Sequence, residues 1–370
     1  MLEDEWQYVL NMMPSDLEES AATKLALVRR REISSASELL RLALGYALCD
    51  FSLRRTAAWA RLIGLGDMSD VAVFKRLRGA SDWLGHLILR WMQDRGLTTD
   101  APRTSVRLLD ATVISQPGSQ GTDWRLHLGL DLAELQITSV ELTGPEAGES
   151  LLRHDLCPGE LVVGDRGYAQ RPGLASALEQ GAHVLIRINW QYFPLETQRG
   201  HSLAILDCLE LLEPGEISDW QVQFRHQRRL YPVRLVALRK SQAAAEKEHK
   251  RLRREASRRG RKLSRESMRA AHFIYLITDL PHQALPAAEA LELYRLRWQI
   301  EIFFKRLKGI VHLDNLRAKG PQLARTYLYA KILGALIVDE LCHAALAFFP
   351  WGYPLFGAPS EPLAAAADGC

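Results

Sequence analysis

The chain has 370 residues, with 47 Lys and Arg against 44 Asp and Glu, a formal net charge of +3. Hydrophobic residues make up 47% and charged ones 25%, which excludes wholesale disorder, collagen and a coiled coil and predicts two or three domains at roughly 150 residues each. Five widely spaced cysteines contain no CxxC pair, so neither a disulfide framework nor a zinc site is expected. The N-terminal MLEDEWQYVL carries acids where a signal peptide needs basic residues, and the apolar stretch near 332–349 is broken by Asp339, Glu340 and His343. A cytoplasmic protein without a membrane span is expected.

Residues 1–100 read as helical, with apolar residues at three- and four-residue spacing in ASELLRLALGYALCDF and SDWLGHLILRWMQ. Ser52 can cap a helix through about Leu62, GLGDM makes a turn, and Ser69 can cap a second helix carrying Lys75, Arg76 and Arg78. The pair is either a helix-turn-helix or two plainly packed helices. From about Arg103 the pattern changes to strands: VRLLDATVI, the alternating WRLHLGLDL, and QITSVEL form an expected three-stranded meander. A helical link through SLLRH, the strand LVVGD, a helix near 171–180 and the strand HVLIRIN continue it as an α/β layered order.

The stretch 196–271 leaves that rhythm. WQVQF and LYPVRLVAL look like antiparallel strands, followed by a segment from Lys240 to Arg269 with four Lys and eight Arg against four Glu. This strongly basic element is hidden by the small total charge and reads as an insertion facing a polyanion, or as a solvated charged helix. FIYLIT resumes the strands. One long helix is then predicted from about Pro286 to Val311, a second helical stretch at 321–349, and a Pro-, Gly- and Ala-rich tail.

Three acids stand out. Asp110 interrupts an apolar strand, where an ionised carboxylate is costly to bury without a counter-charge or a metal. Asp165 ends a short apolar strand, a place where sites of α/β sheets gather and where turn residues are also common. On a single helix at about 100° per residue, with Tyr294 at 0°, Arg297 falls near 300°, Glu301 near 340° and Lys308 near 320°, one stripe of roughly 60°. An apolar face including Ile300, Phe304 and Leu307 lies beside it. Alone, this stripe reads as a salt-bridged surface helix, since Arg297 and Glu301 are an i,i+4 pair. Together, the three carboxylates supply the hard oxygens suited to Mg²⁺ or Mn²⁺, and two such ions can drive phosphodiester displacement while Arg297 and Lys308 meet phosphates.

LLDATVISQPGS around Asp110, GDRGY around Asp165, and Tyr294-x2-Arg297-x3-Glu301-x6-Lys308 together resemble the signature of DDE transposases of the bacterial insertion-sequence-four family. The resemblance runs from about Arg103 to Ala318, and the helical signature matches at every spacing. It implies an α/β fold with an RNase H-like catalytic core, interrupted by a mostly β insertion and preceded by a helical N-terminal domain. The expected division is a DNA-binding domain at 1–100, core at 101–195 and 272–345, the basic insertion at 196–271, and a tail at 346–370. The resemblance further implies Asp110, Asp165 and Glu301 as the metal-binding catalytic triad, and Tyr294, Arg297 and Lys308 as contacts to transposon-end DNA. Arg187, in VLIRIN, is a candidate phosphate ligand; Trp190 and Trp220, outside any matching motif, read first as core residues and otherwise as candidates for stacking on a flipped base. The implied activity is cut-and-paste transposition through DNA hairpins with strand transfer to target DNA, by a homodimer bridged by DNA and associated with the nucleoid. The alternatives are a two-metal nuclease without strand transfer and a catalytically silent DNA-binding descendant.

Overall fold

The computed structural model describes residues 3–94 and 106–348 apart from Pro117, Gln120, Glu134, Leu135, Arg261 and Lys319. Of the expected tail, residues 349–370 lie outside the described residues. The N-terminal part is helical throughout: α1 (Glu3–Asn11), α2 (Leu17–Thr23), α3 (Ala36–Leu48), α4 (Leu53–Leu62), α5 (Asp70–Arg78) and α6 (Ser81–Asp94). Serine caps set three of these starts. Ser35 forms a reciprocal capping box with Glu38, while Ser52 and Ser69 accept from the Arg55 and Ala72 amides. Helices α4 and α5 pack on one another, leaving Lys75 and Arg78 exposed, whereas Arg76 is half-buried and donates to the Arg29 carbonyl.

The remainder is built on one nine-stranded sheet. β1 (Val106–Ile114), β2 (Trp124–Asp131) and β3 (Ile137–Thr143) form an antiparallel meander, and β4 (Leu161–Gly164) lies parallel to β1. Helix α7 (Arg171–Glu179) leads to β5 (His183–Arg187), parallel to β4. There follow β6 (Glu196–Thr197), α8 (Ile205–Glu210), β7 (Ile217–His226), β8 (Arg229–Arg239), α9 (Gln242–Arg258), α10 (Arg265–Ala270) and β9 (Phe273–Thr278). The last helices are α11 (Ala287–Arg295), α12 (Trp298–Ile310) and α13 (Pro321–Phe348).

The strand order is β3-β2-β1-β4-β5-β9-β8-β7-β6. β9 pairs with β5 through Leu185↔Thr278 and with β8 through Leu238↔Ile274, so the strands of the 196–271 stretch prolong the same sheet. An otherwise open β5 edge is thereby satisfied. Alternation along each strand feeds two cores. Leu108, Leu128, Val163, Leu185 and Leu276 face the N-terminal helices together with α11, α12 and α13. Leu109, Val162, Val184 and Ile186 face the layer holding α7 and α8.

Two features differ from the sequence expectations. The single helix expected over Pro286–Val311 is two helices, broken at Leu296 and Arg297. The break is a tightened turn, with Arg297 N–H bonding Tyr294 O at 3.1 Å and Ile300 N–H bonding Arg297 O at 3.2 Å, i→i+3 spacings in place of i→i+4. The single-helix angles for Tyr294 and Glu301 therefore do not hold across it. Second, α13 packs against α3, α5 and α6, so the N-terminal helices share one core with the C-terminal helix. Lys331 of α13 is fully buried and donates to the Asp50 carboxylate at 2.9 Å and the His312 carbonyl at 2.7 Å.

Two buried histidines brace the meander, His127 within it and His154 from the loop that follows. His127 Nε2 bonds Thr143 Oγ1 and His154 Nδ1 bonds Ser139 Oγ, each at 3.0 Å. Burial, reinforced by nearby arginines, lowers His127 from 6.5 to about 4 and His154 to about 3. Below pH 6.5 the unfolded chain takes up these protons and the folded one does not, so the rings' stabilisation is intact above 6.5 and drains away as pH falls toward the folded values. Each ring is expected to cost roughly 1.4 kcal/mol per pH unit over that window. Urea unfolding of a His127→Gln, His154→Gln protein should show a clearly flatter decline between about pH 6.5 and 4.5; an unchanged slope would exclude these rings as its source.

Candidate active site

The parallel pairing of β1 and β4 aligns two of the acids. Asp110 and Asp165 each follow by two residues the Leu108↔Val163 pair, which places them side by side, Asp110 midway along β1 and Asp165 just past the end of β4. Asp110 Oδ1 accepts from the Ala111 amide at 2.9 Å, and Asp165 caps a short 3-10 turn at Arg166–Tyr168 by accepting from the Gly167 amide at 2.8 Å. Glu301 comes from the first turn of α12, which packs against β1.

Arg297, at the break between α11 and α12, joins them. Its Nη1 lies 3.6 Å from Asp110 Oδ2 and its Nη2 donates to Glu301 Oε1. Burial pushes the Asp110 carboxyl up to about 6; Arg297 and the Ala111 N–H oppose this, while the charges of Asp165 and Glu301 add to it. The structure thus brings Asp110, Asp165, Glu301 and Arg297 into one neighbourhood. The Tyr294 ring lies with its centroid 5.9 Å from the Arg297 guanidinium, and its buried hydroxyl has no hydrogen-bond partner among the described residues. Lys308 lies in the last turn of α12, half-buried and without a carboxylate partner among the described residues. Arg187 ends β5, its Nε without a partner among the described residues, and lines a cavity of about 160 Å³ with Arg166, Lys240 and Trp190. Trp220 of β7 is half-buried against the second core.

A fourth acid belongs to this neighbourhood and was not singled out from the sequence. Burial, followed by the charges of Asp165 and Asp110, raises Glu149 to about 7. It comes from the loop after β3, where a Glu carries no periodicity to mark it. Its carboxylate packs so closely on Gly167 that a Cβ there would lie 1.5 Å from Glu149 Oε2, so any larger residue would push that carboxylate aside.

Among the described residues no three His, Cys, Asp or Glu side chains stand close enough to hold a metal ion as they are. The donor set nevertheless fits a hard divalent cation: all carboxylate oxygens, two of them raised by burial and then by neighbouring acids to about 6 and about 7, with Arg297 as a placeholder cation between Asp110 and Glu301. Cys49, Cys157, Cys208 and Cys342 are free thiols, and Cys370 lies outside the described residues.

An acid midway along β1 beside one just past the end of β4, with a third carboxylate from a packed helix, gathers the hard oxygen donors that suit divalent-metal chemistry on phosphodiesters. The transposase DDE domain profile matches residues 101–337, and the chain belongs to the DDE transposase family. It is 37% identical over 356 residues to the putative transposase InsL for insertion sequence element IS186A of Escherichia coli K12, covering 94% of this chain and 96% of that protein. It is likewise 37% identical over 357 residues to the transposase for insertion sequence element IS421 of Escherichia coli, with the same coverage. A more distant relative, the transposase for insertion sequence element IS231F of Bacillus thuringiensis subsp. israelensis, is 25% identical over 267 residues, covering 64% of this chain and 56% of that protein. DDE transposases are polynucleotidyl transferases that act on DNA and depend on divalent metal ions as a class. No helix among the described residues is long and apolar enough to cross a membrane.

Gly167→Ala should drive Glu149 and the Asp165 turn apart and destabilise the protein by about 1–3 kcal/mol in chemical denaturation. Glu149→Ala in the same chain should restore most of the loss. If the second substitution recovers nothing, the close approach is not what holds this turn.

Proposed function

We propose that this transposase excises its insertion sequence by cut-and-paste: it cleaves the transposon ends, passes through DNA hairpins, and joins the 3′ hydroxyls to target DNA. The observation that carries the reading is the Arg297 guanidinium in contact with both Asp110 and Glu301, beside an Asp165 aligned with Asp110 across β1 and β4. The order β3-β2-β1-β4-β5, an antiparallel meander followed by parallel strands, supports an RNase H-like core, and the exposed Lys75 and Arg78 on α5 support DNA binding by the N-terminal helices.

Asp110, Asp165 and Glu301 would hold Mg²⁺ or Mn²⁺, which would supply Lewis-acid stabilisation to the attacking and leaving oxygens of a phosphodiester. The side chains around them do the positioning. Arg297 neutralises Asp110 and Glu301 in the free protein, and a DNA phosphate is the competing partner for its guanidinium. The stacked Tyr294, with its unpartnered hydroxyl, and Arg187, with its unpartnered Nε, offer donors to the same strand. Lys308, without a carboxylate partner among the described residues, is free for a further phosphate. Cutting both ends in one event requires a pair of protomers, hence a DNA-bridged homodimer in the synaptic complex.

Incubation with the element's own ends and Mg²⁺, read on a denaturing gel, should show hairpin intermediates followed by joined products. Asp110→Ala, Asp165→Ala and Glu301→Ala should each abolish cleavage while end binding persists; cleavage near the parent rate by any one removes that residue from the site. Arg297→Ala should reduce cleavage and weaken protection of the terminal phosphates in footprinting. Nicks without joining would leave a nuclease in place of a transposase.

A further inference from the structure

The basic helix α9 is not a uniformly solvated element. Together with α11 and the sheet it walls a cleft of about 1300 Å³. Lys247, Lys250, Arg254 and Arg258 all line this cleft, and at 100° per residue they occupy an arc of about 80° on one face of α9. Their exposed side chains have no carboxylate partners among the described residues. The acids of the same wall are already engaged: Glu248 and Glu255 pair with Arg251, and Glu255 also with Arg259. What remains is a row of cations about 16 Å long, at 1.5 Å per residue from 247 to 258.

The floor is of opposite character. Ile217, Leu238 and Ile274 are cross-strand neighbours in β7, β8 and β9, forming an apolar row across the sheet at the cleft's base. Ile217 keeps 39% of its surface exposed. Tyr294 also lines the cleft, and Arg297, beside its ring, reaches toward Asp110 and Glu301, so the cleft borders the neighbourhood of the acids. Lys240 and Glu248 also line the smaller cavity of Arg166, Arg187 and Trp190, so the two are neighbours.

We propose that the cleft between α9 and α11 is a track for single-stranded DNA leaving the active site. A duplex turns its bases inward and presents phosphates and groove edges, which leaves an apolar floor without a partner; its major groove alone is about 12 Å wide. An unpaired strand offers phosphates to a cationic wall and base faces to an apolar floor at the same time. This assignment rests on the transposase reading, because that reading makes DNA the polyanion at Tyr294.

The test measures binding alone. Fluorescence anisotropy with an oligothymidylate of about 20 nucleotides, a blunt duplex of the element's end, and the same duplex with an unpaired overhang compares the full chain with its Lys247→Ala, Lys250→Ala, Arg254→Ala, Arg258→Ala variant. The four positions are exposed, so circular dichroism should be unchanged. The variant should lose about tenfold or more on the oligothymidylate and the overhang, and less than about twofold on the blunt duplex. Its log Kd against log salt slope on the oligothymidylate should be shallower by about 2 to 3, at roughly 0.7 per single-strand phosphate released. Ile217→Asp, with every cation intact, should also weaken the oligothymidylate. Equal losses on blunt and overhung duplex would make this a duplex-binding face and overturn the proposal; so would unchanged binding to all three, which would leave α9 a solvated helix. Failure of the transposase reading shows differently, as no metal-dependent cutting of the ends by the parent protein, whatever the oligothymidylate does.

Discussion

Carboxylates brought together in a partly buried place repel one another, and the catalytic end of this molecule is organised around that repulsion. Burial raises the proton affinity of Asp110 and Glu149, the charge of Asp165 adds to it at both, and Glu301 adds to the field at Asp110. Hydrophobic packing of β1, β4 and α12 sets the acids there regardless, because the strand and helix faces behind them are buried. Arg297 relieves part of the conflict by bridging Asp110 and Glu301. The relief is local: Asp165 has the Gly167 amide but no ion pair among the described residues, and Glu149 remains near neutrality.

The helix break belongs to the same constraint. A continuous α-helix over 287–310 would carry Arg297 at the ordinary spacing from Tyr294 and Glu301. The two-residue tightening at Leu296 and Arg297 turns the start of α12, where an acid also gains from the helix dipole, toward β1. The sheet supplies the rigidity against which this geometry is held. Arg234, fully buried on β8, ties Asp219 of β7 to the carbonyls of Leu280 and Leu285 ahead of α11, so the entry to the signature helix is anchored to the inserted strands as well as to the core.

Much of this was legible in the sequence, and the rest was hidden for identifiable reasons. Asp110 and Asp165 were visible because an acid in an apolar strand, or directly after one, interrupts a pattern whose physical meaning is burial. Caps at Ser52 and Ser69 were visible because capping is local. The break at Leu296 was not, since no Pro or Gly marks it and the contact that accompanies it, Arg297 to Asp110, spans most of the domain. Glu149 sits in a loop, where charge is ordinary and only the approach to Gly167 makes it unusual. The continuity of β6, β7 and β8 with the core sheet was likewise out of reach. Alternation says that a segment is a strand, but the partner of β9 is chosen by pairings such as Leu185↔Thr278 that no local pattern encodes. The same holds for α13, whose apolar residues announce burial without naming α3 and α6 as the surface they meet.

A net charge of +3 conceals two opposed fields a short distance apart. One is the carboxylate group held by β1, β4 and α12, and the other is the cationic wall of α9, with Tyr294 and Arg297 standing between them. A chain of uniform positive charge would attract DNA anywhere on its surface and smother the acids with its own lysines and arginines. Segregation avoids this: the wall draws the phosphate backbone, while the acids stay available for small cations that the DNA itself concentrates in its counterion atmosphere. Placement of charge, more than its sum, is therefore what adapts this fold to a polyanionic substrate.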